Sequence, residues 1–363
     1  ILGTALVNMY GKCKKLEDAQ SVFDMMPERN VITWNALMTA NFQNGNGNET
    51  LHLFELMKQT GIFADHVTFL NVFDACALEL DFAKGKQTYA CMIVSEVDLD
   101  VVLGSSLISM YGKCYDLGGA RLIFDRMLER NVITFVNMLS ACANVGAFDE
   151  GKRLHAFIVD CGVELDVVIN TALVNMYGKC GMIAIAWNVF QNMPERNVLS
   201  WNAMISAYTQ YGQGKHALEL FDVMRWIGVL PDDATFTSVL SACSHSGLLK
   251  EGEILFDEMC VVYGLVPSVE HYTCMIDLFG RAGCFDKVKA LLYKVPDSAH
   301  LPLFQSVLGS SRKWKNVKFG KWAFDQIVEL DGTCAAAYVL IGNIYATASV
   351  QTEADRTEAY SYL

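Results

Sequence analysis

The sequence predicts an all-α protein, a right-handed superhelical solenoid of helix-turn-helix repeats. The stretch TALVNMYGKC occurs at residues 4–13 and again at residues 171–180, and the near copy SSLISMYGKC occupies residues 105–114. The steps between these copies are 101 and 66 residues, which combine periods of 31 and 35. Proline is scarce, with 6 in 363 residues, and this favours helices over strands and loops. Periods of this size are typical of small helical units that stack in a row.

The two periods divide residues 1–300 into nine candidate units, and residues 301–363 follow as a C-terminal segment. The units are 1–30, 31–65, 66–100, 101–131, 132–166, 167–197, 198–232, 233–268 and 269–300. Each unit is expected to hold two helices, A and B. In helix B of the first unit, apolar residues recur at i, i+3 and i+4 on one face. We therefore expect bulky residues of such stripes to be buried between stacked units, namely Val22, Phe23, Val189 and Phe190.

Composition excludes several classes of protein. Apolar residues make up 52% of the chain, so it can bury a large core, but charges interrupt every candidate for a membrane span. The formal net charge of −12 argues against indiscriminate adhesion to nucleic acid, although it leaves room for a local RNA-binding groove. The first residue is Ile1, so we expect the natural N-terminus, with any targeting peptide, to precede this sequence.

The twelve cysteines show no metal-binding spacing. No C-x-x-C and no H-x-E occurs, and a zinc deaminase needs both kinds of motif. Three cysteines end a GKC and three lie in DAC or SAC, so they recur because the units recur. We expect small packing residues in a reducing compartment, with no bound metal and no cofactor.

One stretch imitates a phosphate-binding loop. GAFDEGKR, at residues 146–153, matches G-x-x-x-x-G-K, but Arg153 stands where a Ser or Thr should hold Mg²⁺. The related units have Leu80 in place of Gly146 and Glu253 in place of Lys152. We therefore expect a turn that leads into helix B, and no enzymatic activity in this chain.

A basic and aromatic segment lies at residues 311–322, SRKWKNVKFGKW. Its basic residues are Arg312, Lys313, Lys315, Lys318 and Lys321, and they interleave with Trp314, Phe319 and Trp322. Such interleaving can bind single strands. An amphipathic helix pair with a solvated basic face explains the same pattern, and we favour that interpretation.

The unit sequences resemble the pentatricopeptide repeat family, and in particular its plant PLS subclass. NVITWNALM and NVLSWNAMISAY open units similar to the P type, TFTSVLSACSHSGLLKEG resembles the L type, and TALVNMYGKCG with MPERN resembles the S type. EHYTCMIDLFGRAG resembles the last S-type unit, and residues 301–349 resemble an E-type extension that then diverges. The resemblance implies a fold similar to tetratricopeptide repeats and binding of single-stranded RNA, one base per unit.

In this family the fifth residue of helix A and the last residue of the unit read the base. The S-type units carry Thr4 with Asn30, Ser105 with Asn131, and Thr171 with Asn197, and the P-type units carry Asn35 with Asp65 and Asn202 with Asp232. The resemblance implies adenine for a hydroxyl with Asn and uracil for Asn with Asp, so the expected target is A-U-n-A-n-A-U-n-n. These side chains also cap helices, which is the structural alternative at each position.

The L-type units fit this scheme less well. Their pairs are Leu70 with Asp100, Val136 with Asp166, and Thr237 with Ser268. Leu70 and Val136 cannot hydrogen-bond a base. Residues 132–166 begin like a P-type unit and continue like an L-type unit, which is most simply explained by the loss of one 35-residue period.

By resemblance, the expected role is that of a specificity factor for C-to-U RNA editing in the mitochondrion or chloroplast of a plant. A deaminase or editing cofactor would act in trans through the C-terminal extension. The alternatives are stabilisation or processing of a transcript, a helical scaffold for protein partners, and a partial gene product without a target. The negative charge favours the scaffold, whereas the Thr/Asn and Asn/Asp pairs favour RNA.

Overall fold

The computed structural model describes residues 2–295 and 300–347, and every regular element in these ranges is an α-helix. The predicted all-α class is therefore confirmed for the described residues. The chain divides into two compact bodies, an N-terminal body, Ile1–Pro194, and a C-terminal body, Glu195–Leu363. Residues 348–363, where the predicted E-type extension diverges, lie outside the described residues.

The N-terminal body contains twelve of the described helices. They are α1 (Leu2–Lys12), α2 (Leu16–Asp24), α3 (Val31–Gln43), α4 (Gly47–Gln59), α5 (His66–Glu79), α6 (Phe82–Val94), α7 (Val101–Lys113), α8 (Leu117–Arg126), α9 (Val132–Val145), α10 (Phe148–Asp160), α11 (Val167–Lys179) and α12 (Ile183–Gln191). Each odd-numbered helix packs on the next odd-numbered helix, and the even-numbered helix between them packs on both. The helices thus form stacked pairs, as the repeat period predicts.

The C-terminal body contains the other nine described helices. They are α13 (Val198–Gln210), α14 (Gly214–Trp226), α15 (Asp233–Ser246), α16 (Leu249–Val261), α17 (Val269–Ala282), α18 (Phe285–Leu292), α19 (His300–Lys313), α20 (Val317–Leu330) and α21 (Ala335–Thr347). The odd-numbered helices again form a continuous row in which each packs on the next. Among the described helices, none is long and apolar enough to cross a membrane.

Aromatic residues fill the space between successive pairs. Phe23 of α2 meets Trp34 of α3 edge to face, with ring centroids 4.7 Å apart, and Phe124 of α8 meets Phe135 of α9 at 5.9 Å. Phe23 is 2% exposed, and Phe190 of α12 is buried to the same extent, as predicted. The prediction is wrong for Val22 and Val189, which are only half-buried. They stand one position from the phenylalanines, about 100° around the helix, and therefore at the edge of the buried stripe.

The ERN motif connects one helix pair to the next. Nε and Nη2 of Arg29 donate to the carbonyls of Phe23 and Asp24, at 3.0 and 2.8 Å, and the guanidinium lies 4.8 Å from the centre of the Phe23 ring. Arg130 donates from both Nε and Nη2 to the Phe124 carbonyl, and its guanidinium lies over the Phe124 ring. The arginine thus satisfies the carbonyls left free at the end of helix B. The asparagine that follows begins the next helix A, as described below.

The stretch that imitates a phosphate loop is a helix junction. Gly146 ends α9 in the left-handed region, with φ 67°, and Gly151 lies inside α10. A Cβ on Gly151 would come within 2.3 Å of the Met176 sulfur, so the glycine permits close helix packing. The interpretation of residues 146–153 as a turn into helix B is confirmed.

Candidate nucleic-acid interface

The last residues of the units predicted as P-type and S-type begin the next helix A. They are Asn30, Asp65, Asn131, Asn197 and Asp232, and Oδ1 of each accepts the backbone N–H three residues later at 2.9–3.1 Å. Asp and Asn are among the strongest N-cap residues because their oxygen satisfies a helical N–H that lacks an internal partner. The capping alternative is therefore confirmed as one role of all five side chains.

In both units predicted as P-type, the structure brings the two predicted base-reading residues together. Asn35 Nδ2 donates to Asp65 Oδ1 at 2.8 Å, and Asn202 Nδ2 donates to Asp232 Oδ1 at 2.9 Å. The asparagines are 6% and 8% exposed, whereas both aspartates are half-buried. The same polar pair is thus built twice, once in each body.

A buried threonine completes each pair. The Thr68 hydroxyl lies 2.8 Å from Asn35 Oδ1, and the Thr235 hydroxyl lies 2.6 Å from Asn202 Oδ1. Each hydroxyl also accepts the backbone N–H of the capping aspartate, at 3.2 and 3.1 Å. Both threonines are fully buried. Sequence reasoning missed them, although the recurrence of DHVT and DDAT at the start of helix A was a signal.

The carboxylates of these pairs are held in the ionised form. Burial acts to raise the pKa of Asp65, but the hydrogen bonds from the Thr68 N–H and from Asn35 outweigh it, so the pKa lies below its ordinary value. The same balance, with the Thr235 N–H and Asn202, lowers the pKa of Asp232. Each aspartate is therefore an acceptor at neutral pH, with one oxygen that its asparagine does not occupy.

The S-type pair Ser105 and Asn131 is joined only through a third residue. The Ser105 hydroxyl lies 2.9 Å from the Thr134 hydroxyl, which in turn lies 3.0 Å from Asn131 Oδ1. Ser105 is buried, whereas Asn131 is exposed. Thr134 occupies the same place as Thr68, three residues after the cap, and it is also fully buried.

The remaining S-type residues are placed on their helices without a bridge of this kind. Asn30 Oδ1 accepts from both the N–H and the hydroxyl of Thr33, while Thr4 lies half-buried on α1. Thr171 donates its hydroxyl to the Val167 carbonyl of its own helix at 2.6 Å. Asn197, in the C-terminal body, caps α13 through the Ser200 N–H.

The L-type residues have different partners. Asp100 accepts the N–H groups of Val102 and Leu103, and its second oxygen lies 2.9 Å from His66 Nε2. Burial acts to raise the pKa of Asp100, but the Leu103 N–H and His66 lower it overall. Leu70 is half-buried and offers no polar atom.

In the other two predicted L-type pairs, the two residues also have separate partners. Asp166 caps α11 through the N–H groups of Val168 and Ile169, and Val136 is half-buried. Thr237 donates to the Asp233 carbonyl at 2.9 Å, and the Ser268 N–H donates to His271. In none of these described pairs does the fifth residue contact the last one by a hydrogen bond.

The basic and aromatic segment forms the junction between α19 and α20. Trp314 Nε1 donates to the Arg281 carbonyl at 3.1 Å, and Lys289 lies 4.7 Å from the centre of the Trp322 ring. Phe319 is buried. The aromatic residues thus pack against α17 and α18, which supports the favoured interpretation as an amphipathic helix pair.

Three of the cysteines, Cys76, Cys142 and Cys243, are buried packing residues, whereas Cys13 and Cys161 are exposed. All twelve cysteines, each within the described ranges, are free. Burial raises the pKa of Cys76, Cys142 and Cys243 to about 12, so these thiols are protonated at neutral pH. In the described part of the chain, no three His, Cys, Asp or Glu side chains are grouped to hold a metal ion.

Stacked helix pairs define a helical-repeat protein, and a capping Asn or Asp precedes α3, α5, α7, α9, α11, α13 and α15. The model of the PPR repeat family matches residues 29–77 and 196–245. The model of the PPR repeat itself matches residues 4–31, 105–132, 171–198, 234–261 and 270–298. Together these matches cover more than half of the chain, which therefore belongs to the pentatricopeptide repeat family.

Individual relatives agree with this assignment. A mitochondrial pentatricopeptide repeat-containing protein of Arabidopsis thaliana is 34% identical over 382 residues, which cover 95% of this chain and 68% of the relative. A chloroplastic one from the same plant is 34% identical over 384 residues, covering 96% of this chain and 48% of the relative. The chain spans between 39% and 68% of the length of curated relatives that it matches.

Solved structures share the fold. The pentatricopeptide repeat protein PPR10, in complex with an 18-nt psaJ RNA element, matches with a TM-score of 0.68 and 18% identity over 99% of this chain and 54% of PPR10. The structure of PPR10 from maize matches with a TM-score of 0.54 and 16% identity over 99% of this chain and 60% of that one. These similarities show the helical-repeat fold.

Proposed function

We propose that this chain binds single-stranded RNA, with one base for each repeat unit. The carrying observation is the Asn–Asp pair, which has the same geometry at Asn35 and at Asn202. Among the described residues, each asparagine amide has one N–H and one oxygen lone pair that make no hydrogen bond within the protein. Each aspartate likewise has one carboxylate oxygen that accepts no hydrogen bond from its asparagine. A base offers complementary groups on its Watson–Crick edge. The complex of PPR10 with RNA supports the proposal.

The unit types and boundaries are part of this proposal. We infer that residues 1–300 form nine units of the PLS subclass, with residues 132–166 a P/L hybrid, and that residues 301–363 begin an E-type extension. Two described helices lie inside each proposed unit, which supports this division. The base-reading residues are then the ten side chains of the three S-type and two P-type pairs.

The biological role proposed for the chain is that of a specificity factor for C-to-U editing of organellar RNA. Relatives named as mitochondrial and chloroplastic support an organelle as its location. The residues given contain neither H-x-E nor C-x-x-C, so the proposal takes the deaminase from outside these residues, in trans. The resemblance of residues 301–349 to the E-type extension supports a docking role for that segment.

A helical scaffold for protein partners is the second candidate function, because the net charge of −12 opposes RNA binding over most of the surface. The two candidates differ in their dependence on base identity. A scaffold would bind all RNAs equally weakly, whereas the proposed reader distinguishes RNAs that differ at one base.

The test is a change of one base-reading residue. Asn131→Asp leaves Ser105 in place and replaces the amide by a carboxylate, so we expect the fourth base of the target to change from adenine toward guanine. Loss of one good base contact costs about 1–3 kcal/mol. The measurement is a binding titration of both proteins against single-stranded RNAs that differ only at the fourth base.

The substitution preserves the fold, because Asp and Asn cap helices almost equally well. Asp160→Asn is a matched control, since Asp160 lies at the end of α10 and caps no helix A. This control should leave the preference at the fourth base unchanged. Equal binding of all RNAs by wild type and Asn131→Asp would contradict the proposal and favour the scaffold.

A further inference from the structure

An asparagine amide can read either pyrimidine, depending on which way it is turned. Uracil offers a donor at N3 and an acceptor at O4, whereas cytosine offers an acceptor at N3 and a donor at N4. An amide also has one donor side and one acceptor side. In one orientation it matches uracil, and after rotation by 180° it matches cytosine. Residue type alone therefore does not decide between the two bases.

The structure holds the Asn35 amide in one orientation from both sides. On the nitrogen side, Nδ2 donates to the ionised Asp65 carboxylate at 2.8 Å. On the oxygen side, Oδ1 lies 2.8 Å from the Thr68 hydroxyl, which donates to it and also lies 2.9 Å from Asp65 Oδ1. Rotation would turn the amide oxygen toward the carboxylate and the amide nitrogen toward the hydroxyl. The hydrogen bond to the carboxylate would be lost and two acceptors would face each other there, while the Thr68 hydroxyl could no longer donate to the amide oxygen.

We propose that Thr68 and Thr235 are positioning residues that set the preference for uracil over cytosine in the two P-type units. This inference rests on the proposed RNA binding. Each threonine lies in the unit that follows the asparagine it holds, so two side chains would read a base and a third, from the next unit, would position one of them. Neither threonine needs to touch the base, since both are fully buried.

Two features of the chain separate this role from simple helix capping. The arrangement occurs twice, because Asn202, Asp232 and Thr235 repeat the contacts at 2.9 and 2.6 Å. Thr134 makes the same capping contacts with Asn131 as Thr68 makes with Asp65, but its hydroxyl faces Ser105 instead of an amide. The Ser105 hydroxyl can act as donor or as acceptor, so Thr134 has no amide to orient.

The experiment compares U and C at the second and the seventh base of the target RNA, with all other bases constant. Thr68→Val keeps the shape of the side chain and removes the hydroxyl. The U-to-C preference at the second base should fall about fivefold, the factor for one intramolecular hydrogen bond of about 1 kcal/mol. The preference at the seventh base should not change. Thr235→Val should give the reverse result, and Thr68→Ser should restore the preference.

The matched control is Thr134→Val, which loses the same cap contacts and should leave the second and seventh bases unaffected. Thermal melting followed by circular dichroism checks that each variant is folded at the temperature of the titration. If wild type prefers U at the second base and Thr68→Val prefers it equally, the role of Thr68 is refuted while RNA binding stands. If wild type binds no RNA, the proposed function fails and this inference fails with it.

Discussion

Two polar sites in the N-terminal body share a capping threonine but differ in how the fifth residue of helix A is connected to the cap. At the P-type site, Asn35 contacts the cap Asp65 directly, and Thr68 contacts both residues. At the S-type site, Ser105 reaches only Thr134, which then contacts the cap Asn131. The capping threonine is common to both sites. The sites differ in the fifth residue of helix A and in the charge of the cap.

Side-chain length explains the difference. Asparagine extends far enough across the space between neighbouring A helices to meet the cap of the next helix. Serine is shorter, and its hydroxyl ends at the threonine. The P-type site is consequently a closed network around a carboxylate, whereas the cap of the S-type site does not contact the fifth residue. Removing the cap should therefore have unequal consequences at the two sites.

The largest expected effect comes from removing each cap. Asp65→Ala deletes an N-cap and also leaves the buried Asn35 Nδ2 without its acceptor, so we expect a loss of about 2–4 kcal/mol in the free energy of unfolding. Asn131→Ala deletes only a cap, because Ser105 keeps its contact with Thr134, and should cost about 1 kcal/mol. Urea denaturation followed by circular dichroism measures both values.

A matched pair in the other body controls for local context. Asp232→Ala should behave like Asp65→Ala, because Asp232 accepts from Asn202 in the same way. Equal costs for Asp65→Ala and Asn131→Ala would show that the Asn–Asp contact contributes nothing to stability, and the distinction between the two sites would lose its physical basis.

The sequence predicts much of this arrangement. The repeat period predicts the stacked helix pairs, the family resemblance implies the pairing of Asn35 with Asp65, and the N-cap preference of Asn and Asp indicates the capping role. The burial of Phe23 follows from its place on the apolar stripe. Val22 carries the same apolar signal, yet it is half-buried, because the stripe in the sequence is wider than the contact that the next helix makes.

The threonines show what the sequence leaves undecided. Thr68, Thr134 and Thr33 all stand three residues after a cap, and the pattern predicts the same capping contact for each. Whether the hydroxyl also reaches the fifth residue of the preceding unit depends on the distance between two A helices. That distance is set by packing across the repeat and not by any local motif.

The second expected effect is on base preference, when the Asn–Asp pair of the P-type site is introduced at the S-type site. The double variant Ser105→Asn with Asn131→Asp should place an Asn–Asp pair next to Thr134, so the fourth base should change from adenine to uracil. A discrimination of about 1–3 kcal/mol is expected between the RNA with uracil and the RNA with adenine at that position. Titration against both RNAs measures it.

The single variant Ser105→Asn is the control, because it supplies the amide without the carboxylate. A double variant that still prefers adenine would show that these two residues do not carry the preference.

The smallest expected effect is on how steeply the free energy of unfolding falls at acid pH. Because hydrogen bonds lower the pKa of Asp65 in the folded state, its contribution is complete above the ordinary aspartate pKa of about 3.9 and is lost as the pH falls through the lower folded value. Asp65→Asn removes this titration while keeping a cap, so stability should fall less steeply on acidification than in wild type.

Asn131→Asp supplies the comparison for the S-type site. It adds a titrating carboxylate cap that no amide contacts. The fall in the free energy of unfolding on acidification should therefore become steeper, but by less than Asp65→Asn makes it shallower. Unfolding midpoints measured from pH 6 down to the acid transition give both differences. Other carboxylates whose pKa is lowered, such as Glu55 and Glu150, contribute equally to all three proteins and cancel in the comparison. Equal and opposite changes would mean that the backbone cap alone lowers the pKa, and that the contact from Asn35 to Asp65 has no electrostatic consequence.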